Sequence, residues 1–158
     1  MAADPRGTLV LGAYLGNWEL LGHLLPQLGL APLHVVYRPL DNPLLEERLR
    51  ASRERHGARA IARSQASRPV IQALRSGEAV AMLMDQFTRG KGTVRLPFLG
   101  EETPFSTAMA RFAQRTGSPI LPVALLRQGP ERFRMVALAP IEPSRFAAGE
   151  AGELELTA

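Results

Sequence analysis

The 158-residue sequence contains no cysteine. That excludes a disulfide framework, a thiolate nucleophile and a Cys-ligated metal. Lysine is almost missing as well: Lys91 is the single one, and every other cationic side chain is an arginine. Three histidines (His23, His34, His56) are too scattered to suggest a metal site. Aromatic residues make up only 6%, and the basic stretches are not interleaved with them as a nucleic-acid platform requires. No Walker loop or Gly-x-Gly-x-x-Gly follows the first apolar run, so the nucleotide and dinucleotide readings lack support. No apolar run approaches the roughly 18–20 residues that span a bilayer. The opening Met-Ala-Ala-Asp-Pro-Arg-Gly has no signal-peptide apolar stretch. A cytosolic or peripheral chain without internal repeats is expected.

What is present fits one domain with a real core. Hydrophobic residues reach 46% and charged residues 22%, ordinary for a globular protein. The net charge is +4 and almost all the positive charge is arginine. Arginine forks match phosphate and carboxylate oxygens bidentately, while a bias toward arginine codons gives the same composition.

Short apolar runs alternate with helical patterns. Thr8 to Ala13, Leu33 to Tyr37, Ala79 to Met84 and Ile120 to Leu126 read as buried strands. Arg59 to Ala62 and Thr93 to Leu96 read as shorter ones. Phe133 to Leu138 reads as an antiparallel neighbour of the Ile120 run. Asn17 is placed to cap a helix from about Trp18 to Gln27. Asn42-Pro43 starts a second, charged helix that runs to about His56. Ser67 is placed to cap a third that reaches Arg75, and Ser106 or Thr107 begins a fourth. Pro97 to Gly100 reads as a turn, and the Ala/Gly/Glu-rich tail from Ala147 as frayed. The strands are apolar throughout rather than alternating. An α/β domain is therefore predicted, with a mostly parallel central sheet and helices on both faces.

Polar clusters fall at strand C-terminal ends, where open α/β sheets bind ligands. Tyr14, Gly16, Asn17 and Glu19 follow the first strand. Arg38 follows the second. Asp85 and Gln86, then Arg89 and Lys91, follow the Ala79 run. In a parallel sheet these ends open on one edge and line one cleft. Each also has a plain structural role: Asn17 as a cap, Glu19 as a first-turn acid, Asp85 as a turn former. The arginines from Arg48 to Arg63 are either a solvated face or a dock for an anionic partner. Phe98, Leu99 and Phe105 either pack in the core or line an apolar groove.

Five segments occur in one order: Gly-Asn-Trp-Glu-Leu after a strand, Tyr-Arg-Pro with Asn-Pro beyond it, Met-Asp-Gln at a strand end, Pro-Phe-Leu-Gly, and Thr-Gly-Ser-Pro-Ile-Leu-Pro-Val. Together they resemble the lipid A biosynthesis (lauroyl/myristoyl) acyltransferase family, relatives of the glycerolipid and lysophospholipid acyltransferases. The resemblance covers roughly Leu9 to Leu138. It implies one acyltransferase-like domain over 1–158. The implied reaction moves an acyl chain from acyl-carrier protein or acyl-CoA to a hydroxyl of a glycolipid or lysolipid. The implied place is the cytoplasmic face of the inner membrane, held peripherally, since the anchoring helix of such families is not read in this sequence. No metal, organic cofactor or nucleic acid is implied.

The family motif is His-x4-Asp/Glu, a general base oriented by an acid. By resemblance the acid is Glu19, and Tyr14 occupies the histidine position. A free tyrosine titrates near 10 and a free histidine near 6.5, so a phenol is a poor base at neutral pH. Four readings stay open: a pseudoenzyme that keeps its cleft, a catalytically disabled chain, Tyr14 binding the acceptor while Glu19 serves as base, and His23 as substitute base. The resemblance further assigns Arg38 to a phosphate, Asp85 and Gln86 to the cleft, Arg89 and Lys91 to headgroup phosphates, and Gly16 and Asn17 to substrate binding.

Overall fold

The computed structural model describes residues 5–30, 32–86, 88 and 90–158. In chain order the elements are β1 (Thr8–Gly12), α1 (Leu21–Gln27), β2 (Leu33–Tyr37), α2 (Pro43–Glu54), β3 (Ala58–Ala62), α3 (Ser67–Arg75) and β4 (Ala79–Leu83). There follow β5 (Thr93–Phe98), β6 (Glu101–Ser106), α4 (Ala108–Thr116), β7 (Ile120–Arg127), β8 (Phe133–Ala137) and α5 (Glu150–Thr157).

Six strands form one sheet in the order β3-β2-β4-β1-β7-β8. All neighbours are parallel except β7 and β8. The α/β class and the mostly parallel sheet are as the sequence predicts. Consecutive residues of a strand point to opposite faces, and β1 shows the result. Leu9 joins one core with α3, α4 and α5 through Val70, Leu74, Met109, Ala113 and Leu156. Val10 joins the other with α1 through Leu21 and Leu25. A strand buried on both faces must be apolar at every position, which explains why these segments read as continuous runs.

The connection after β1 goes to α1 on one face, and the connection after β4 leads toward α4 on the other. β1 and β4 are hydrogen-bonded neighbours. The strand order reverses between them, so a crevice opens at their C-terminal ends.

Four local expectations are corrected. Asn17 makes no side-chain cap hydrogen bond; a single 3-10 turn, Trp18–Leu20, precedes α1. Its backbone N–H is instead tied to the Leu125 carbonyl at 3.1 Å. Ser67 sits inside α3 rather than capping it, because the 3-10 turn Arg63–Gln65 runs directly into the helix. The strand at Thr93 extends through Pro97 and Phe98 and pairs with β6, so the turn is only Leu99-Gly100. Both turn residues have positive φ, 51° and 86°, which suits a two-residue hairpin. A two-stranded ribbon is all edge, so Pro97 and Pro104 are tolerated there. Lastly, the tail forms α5 and is not frayed. Arg111 of α4 approaches Glu153 at 3.6 Å.

Among the described residues no helix is long and apolar enough to cross a membrane. The docking of α5 rests on Leu156, 9% exposed. Leu156→Ala is predicted to lower the unfolding free energy by about 2 kcal/mol in urea titrations. A tail that contributes nothing to the core leaves the midpoint unchanged.

Candidate functional site

The crevice is a cavity of about 560 Å³ at the C-terminal edge of β1, β2 and β4. Its walls are mostly aliphatic. Its polar lining includes Tyr14, Glu19, Arg38, Arg53, Arg63 and Gln86. Of the residues singled out in the sequence, Tyr14, Glu19, Arg38 and Gln86 therefore converge on one space.

Glu19 is fixed by Arg53, one of the arginines expected on either a solvated face or an anionic dock. Both its carboxylate oxygens accept hydrogen bonds from Arg53 of α2, from Nε at 2.7 Å and from Nη2 at 3.0 Å. Arg53 is 7% exposed, and its guanidinium lies 5.1 Å from the centre of the Tyr37 ring. Burial works against the Arg53 charge, but the hydrogen bonds and negative charge of Glu19 outweigh it and hold the guanidinium above its ordinary pKa. The remaining nitrogen, Nη1, is buried without a hydrogen-bond partner among the described residues. An orphaned buried donor costs about 1–3 kcal/mol, so this arginine is not placed for packing alone.

The pair continues outward. Tyr37 donates from its hydroxyl to Glu46, and the Leu40 N–H donates to the same carboxylate at 2.8 Å. Burial, then the bond to Glu46, raises the Tyr37 phenol. The bond from Tyr37, then that from Leu40, lowers the Glu46 carboxyl. Glu46, Leu49 and Arg53 recur at helical spacing and share one face of α2. Leu49 lines the cavity beside Arg53. That periodicity was the available signal, hidden among the other charges of the helix. α2 starts after Asn42 as expected, and Asn42 caps it, accepting from the Leu44 and Leu45 N–H groups.

Tyr14 is held through its backbone, not its phenol. Its N–H donates to Asp85 Oδ2 at 2.7 Å, which staples the loop after β1 to the loop after β4. The ring meets Trp18 edge-on at 4.7 Å. Among the described residues the Tyr14 hydroxyl has no hydrogen-bond partner. Asp85 lies in the wall of a neighbouring apolar groove of about 420 Å³, which shares Gly12 and Met84 with the main cavity.

Gly16 and Asn17 fall outside the lining of both spaces. Gly16 bridges to Leu125 with φ of 63°, and a Cβ there would lie 2.0 Å from the Leu125 carbonyl oxygen. The glycine is required by that close approach. Lys91 also lies outside both linings, in the turn before β5. Arg89 lies outside the described residues. Among the described residues Arg38 pairs with Asp41 alone, at 3.9 Å, with both side chains largely in solvent. His23 turns to His56, with ring centres 4.8 Å apart, and does not line the cavity. Phe98 and Leu99 are exposed on the hairpin, not core; Phe105 lines the apolar groove.

An acid at a strand end, locked by an arginine over a cavity with aliphatic walls, fits the chemistry of an acyl-group site. The bacterial lipid A biosynthesis acyltransferase family model matches residues 1–149. A lipid A biosynthesis palmitoleoyltransferase of Escherichia coli (strain K12) is 32% identical over 125 residues, covering 78% of this chain and 40% of the relative. A lipid A biosynthesis acyltransferase of Shigella flexneri matches with the same identity and coverage. The chain belongs to the bacterial lipid A biosynthesis acyltransferase family. It spans 40% of the length of these curated relatives.

The outer bonds give a pH signature. Glu46 titrates below its ordinary value of 4.5 in the fold. Its contribution is therefore complete above that value and is lost as pH falls through the lowered one. Glu46→Gln is predicted to be less stable than wild type at pH 7, with the difference shrinking as pH falls below 4.5, measured by thermal melts across the acid range.

Proposed function

We propose that this domain transfers a fatty acyl chain from the thioester of acyl-carrier protein, or from acyl-CoA, to a hydroxyl of a glycolipid or lysolipid such as a lipid A precursor. The observation that carries the proposal is Glu19. The acid of the strand-end motif lines the crevice where the strand order reverses, and Arg53 fixes both its oxygens. In the reaction the acceptor hydroxyl gives its proton to a base, and its oxygen forms a bond to the thioester carbonyl carbon. The carbon–sulfur bond breaks, and the departing thiolate takes up the proton. Aliphatic walls such as Leu21, Val35 and Met82 suit the acyl chain. Leu40, Leu44 and Leu45 are exposed just beyond Arg38, which supports a cavity mouth that meets a lipid surface on the cytoplasmic side of the inner membrane.

A second reading has its own support. The base position holds Tyr14, whose phenol has no hydrogen-bond partner among the described residues. Both Glu19 oxygens are engaged by Arg53, which suits an orienting acid better than a base. His23 faces His56 away from the cavity. These favour a catalytically impaired domain that binds lipid or acyl carrier.

Acyl transfer measured in the wild type, Tyr14→His and Glu19→Ala separates the two. An intact cleft that lacks only its base predicts a gain of about a hundredfold or more in Tyr14→His, the usual contribution of a general base. Wild-type turnover that Glu19→Ala abolishes shows instead that the chain is a working enzyme without the histidine. Silence in all three, with retained lipid binding, establishes the binding domain.

A further inference from the structure

Beyond the Glu19 pair, the cavity carries charge with no protein counterpart. Its described lining contains one carboxylate, Glu19, and three guanidiniums, Arg38, Arg53 and Arg63. Glu19 and Arg53 neutralise each other through two short hydrogen bonds. The other two are left over. The Arg63 side chain makes no ion pair or hydrogen bond among the described residues; only its backbone carbonyl accepts, from the Ala66 N–H. Arg38 has, among the described residues, only Asp41, at 3.9 Å and 96% exposed, where solvent screens the interaction.

Position joins these two arginines. β2 and β3 are parallel neighbours, with Tyr37 paired to Ala62 at the end of the register. Arg38 directly follows β2 and Arg63 directly follows β3, where it opens the 3-10 turn Arg63–Gln65, so both leave the sheet at the same edge from neighbouring strand ends. Both side chains line the same cavity. Two forked, permanently charged groups lining one cavity suit a tetrahedral oxyanion, which each contacts with parallel N–H donors. Two unneutralised positive charges match a phosphate monoester, which carries close to two negative charges at pH 7. A phosphodiester, such as the link of a carrier protein's prosthetic arm, carries one.

We propose that Arg38 and Arg63 form a clamp for one phosphate monoester on the acyl acceptor, and that Arg63 is a substrate-binding residue. This rests on the cavity being the acceptor site. The clamp orients the acceptor by its phosphate at the β2–β3 side of the crevice, while Glu19 stands at the β1 side.

Calorimetric titration of the chain tests this without turnover, so binding and acyl transfer fail separately. The probes are glucose 1-phosphate, a sugar phosphate monoester, and holo acyl-carrier protein, a phosphodiester. Arg38→Gln and Arg63→Gln each remove a charge-assisted contact, so each is expected to weaken glucose 1-phosphate binding by at least about tenfold. The double variant is expected to fall well short of the product of the two losses, because one phosphate is shared. Arg115→Gln on α4, outside the cavity lining, is expected to bind as the wild type does. Equal melting temperatures across the set show that these exposed substitutions leave the fold intact. No measurable wild-type binding of glucose 1-phosphate overturns the clamp. So do wild-type affinity in Arg63→Gln, losses that multiply, or a response confined to the carrier protein.

Discussion

The bidentate bond between Glu19 and Arg53 ties the reacting edge of this domain to its scaffold. Glu19 stands in a 3-10 turn, an element too short to fix a side chain by itself. Arg53 comes from α2, thirty-four residues later in sequence. The bond therefore joins the connection after β1 to the connection after β2. It holds one carboxylate in one orientation, and it explains why a guanidinium is buried at all. A buried ion pair is weak support for stability, since desolvation offsets much of the attraction. Its value here is positional: a planar fork fixes both oxygens at once, which a lysine does not do.

A second constraint sets the opposite wall. Gly12 and Leu83 are paired at the ends of β1 and β4, and the two chains then diverge to opposite faces of the sheet. The Tyr14 N–H bond to Asp85 closes the base of that divergence. Gly16 and Asn17 lean the loop onto the Leu125 carbonyl of β7. The motif glycine and asparagine thus hold the loop in place, and the side chains that meet the cavity are Tyr14, Trp18 and Glu19. The cavity depends on both fixings: Arg53 from α2 and Asp85 from the end of β4.

Much of this was legible in the sequence. Strands buried on two faces leave continuous apolar runs, and those runs placed β1, β2, β4 and β7 to within a residue or so. Parallel strands bring their ends to one edge, which brought Tyr14, Glu19, Arg38 and Gln86 together. The hidden parts share a physical cause. β6 is half of a ribbon with little burial, so Glu101-Glu102-Thr103 shows no apolar pattern. α5 docks through few side chains, Leu156 among them, and its Ala/Gly/Glu composition reads as solvated. Arg53 was lost among the arginines of α2, because burial of a charge is decided by a partner distant in sequence. Only its spacing from Leu49 and Glu46 hinted at an inward face.

The most direct measurement is a double-mutant cycle on unfolding free energy with Glu19→Gln, Arg53→Met and the pair. If Glu19 is fixed by Arg53, each single change strands its partner, and the double variant recovers part of the loss. The predicted coupling is about 2–3 kcal/mol. Additive losses, with coupling below about 0.5 kcal/mol, contradict the account, because the carboxylate at the centre of the site is then not held by α2.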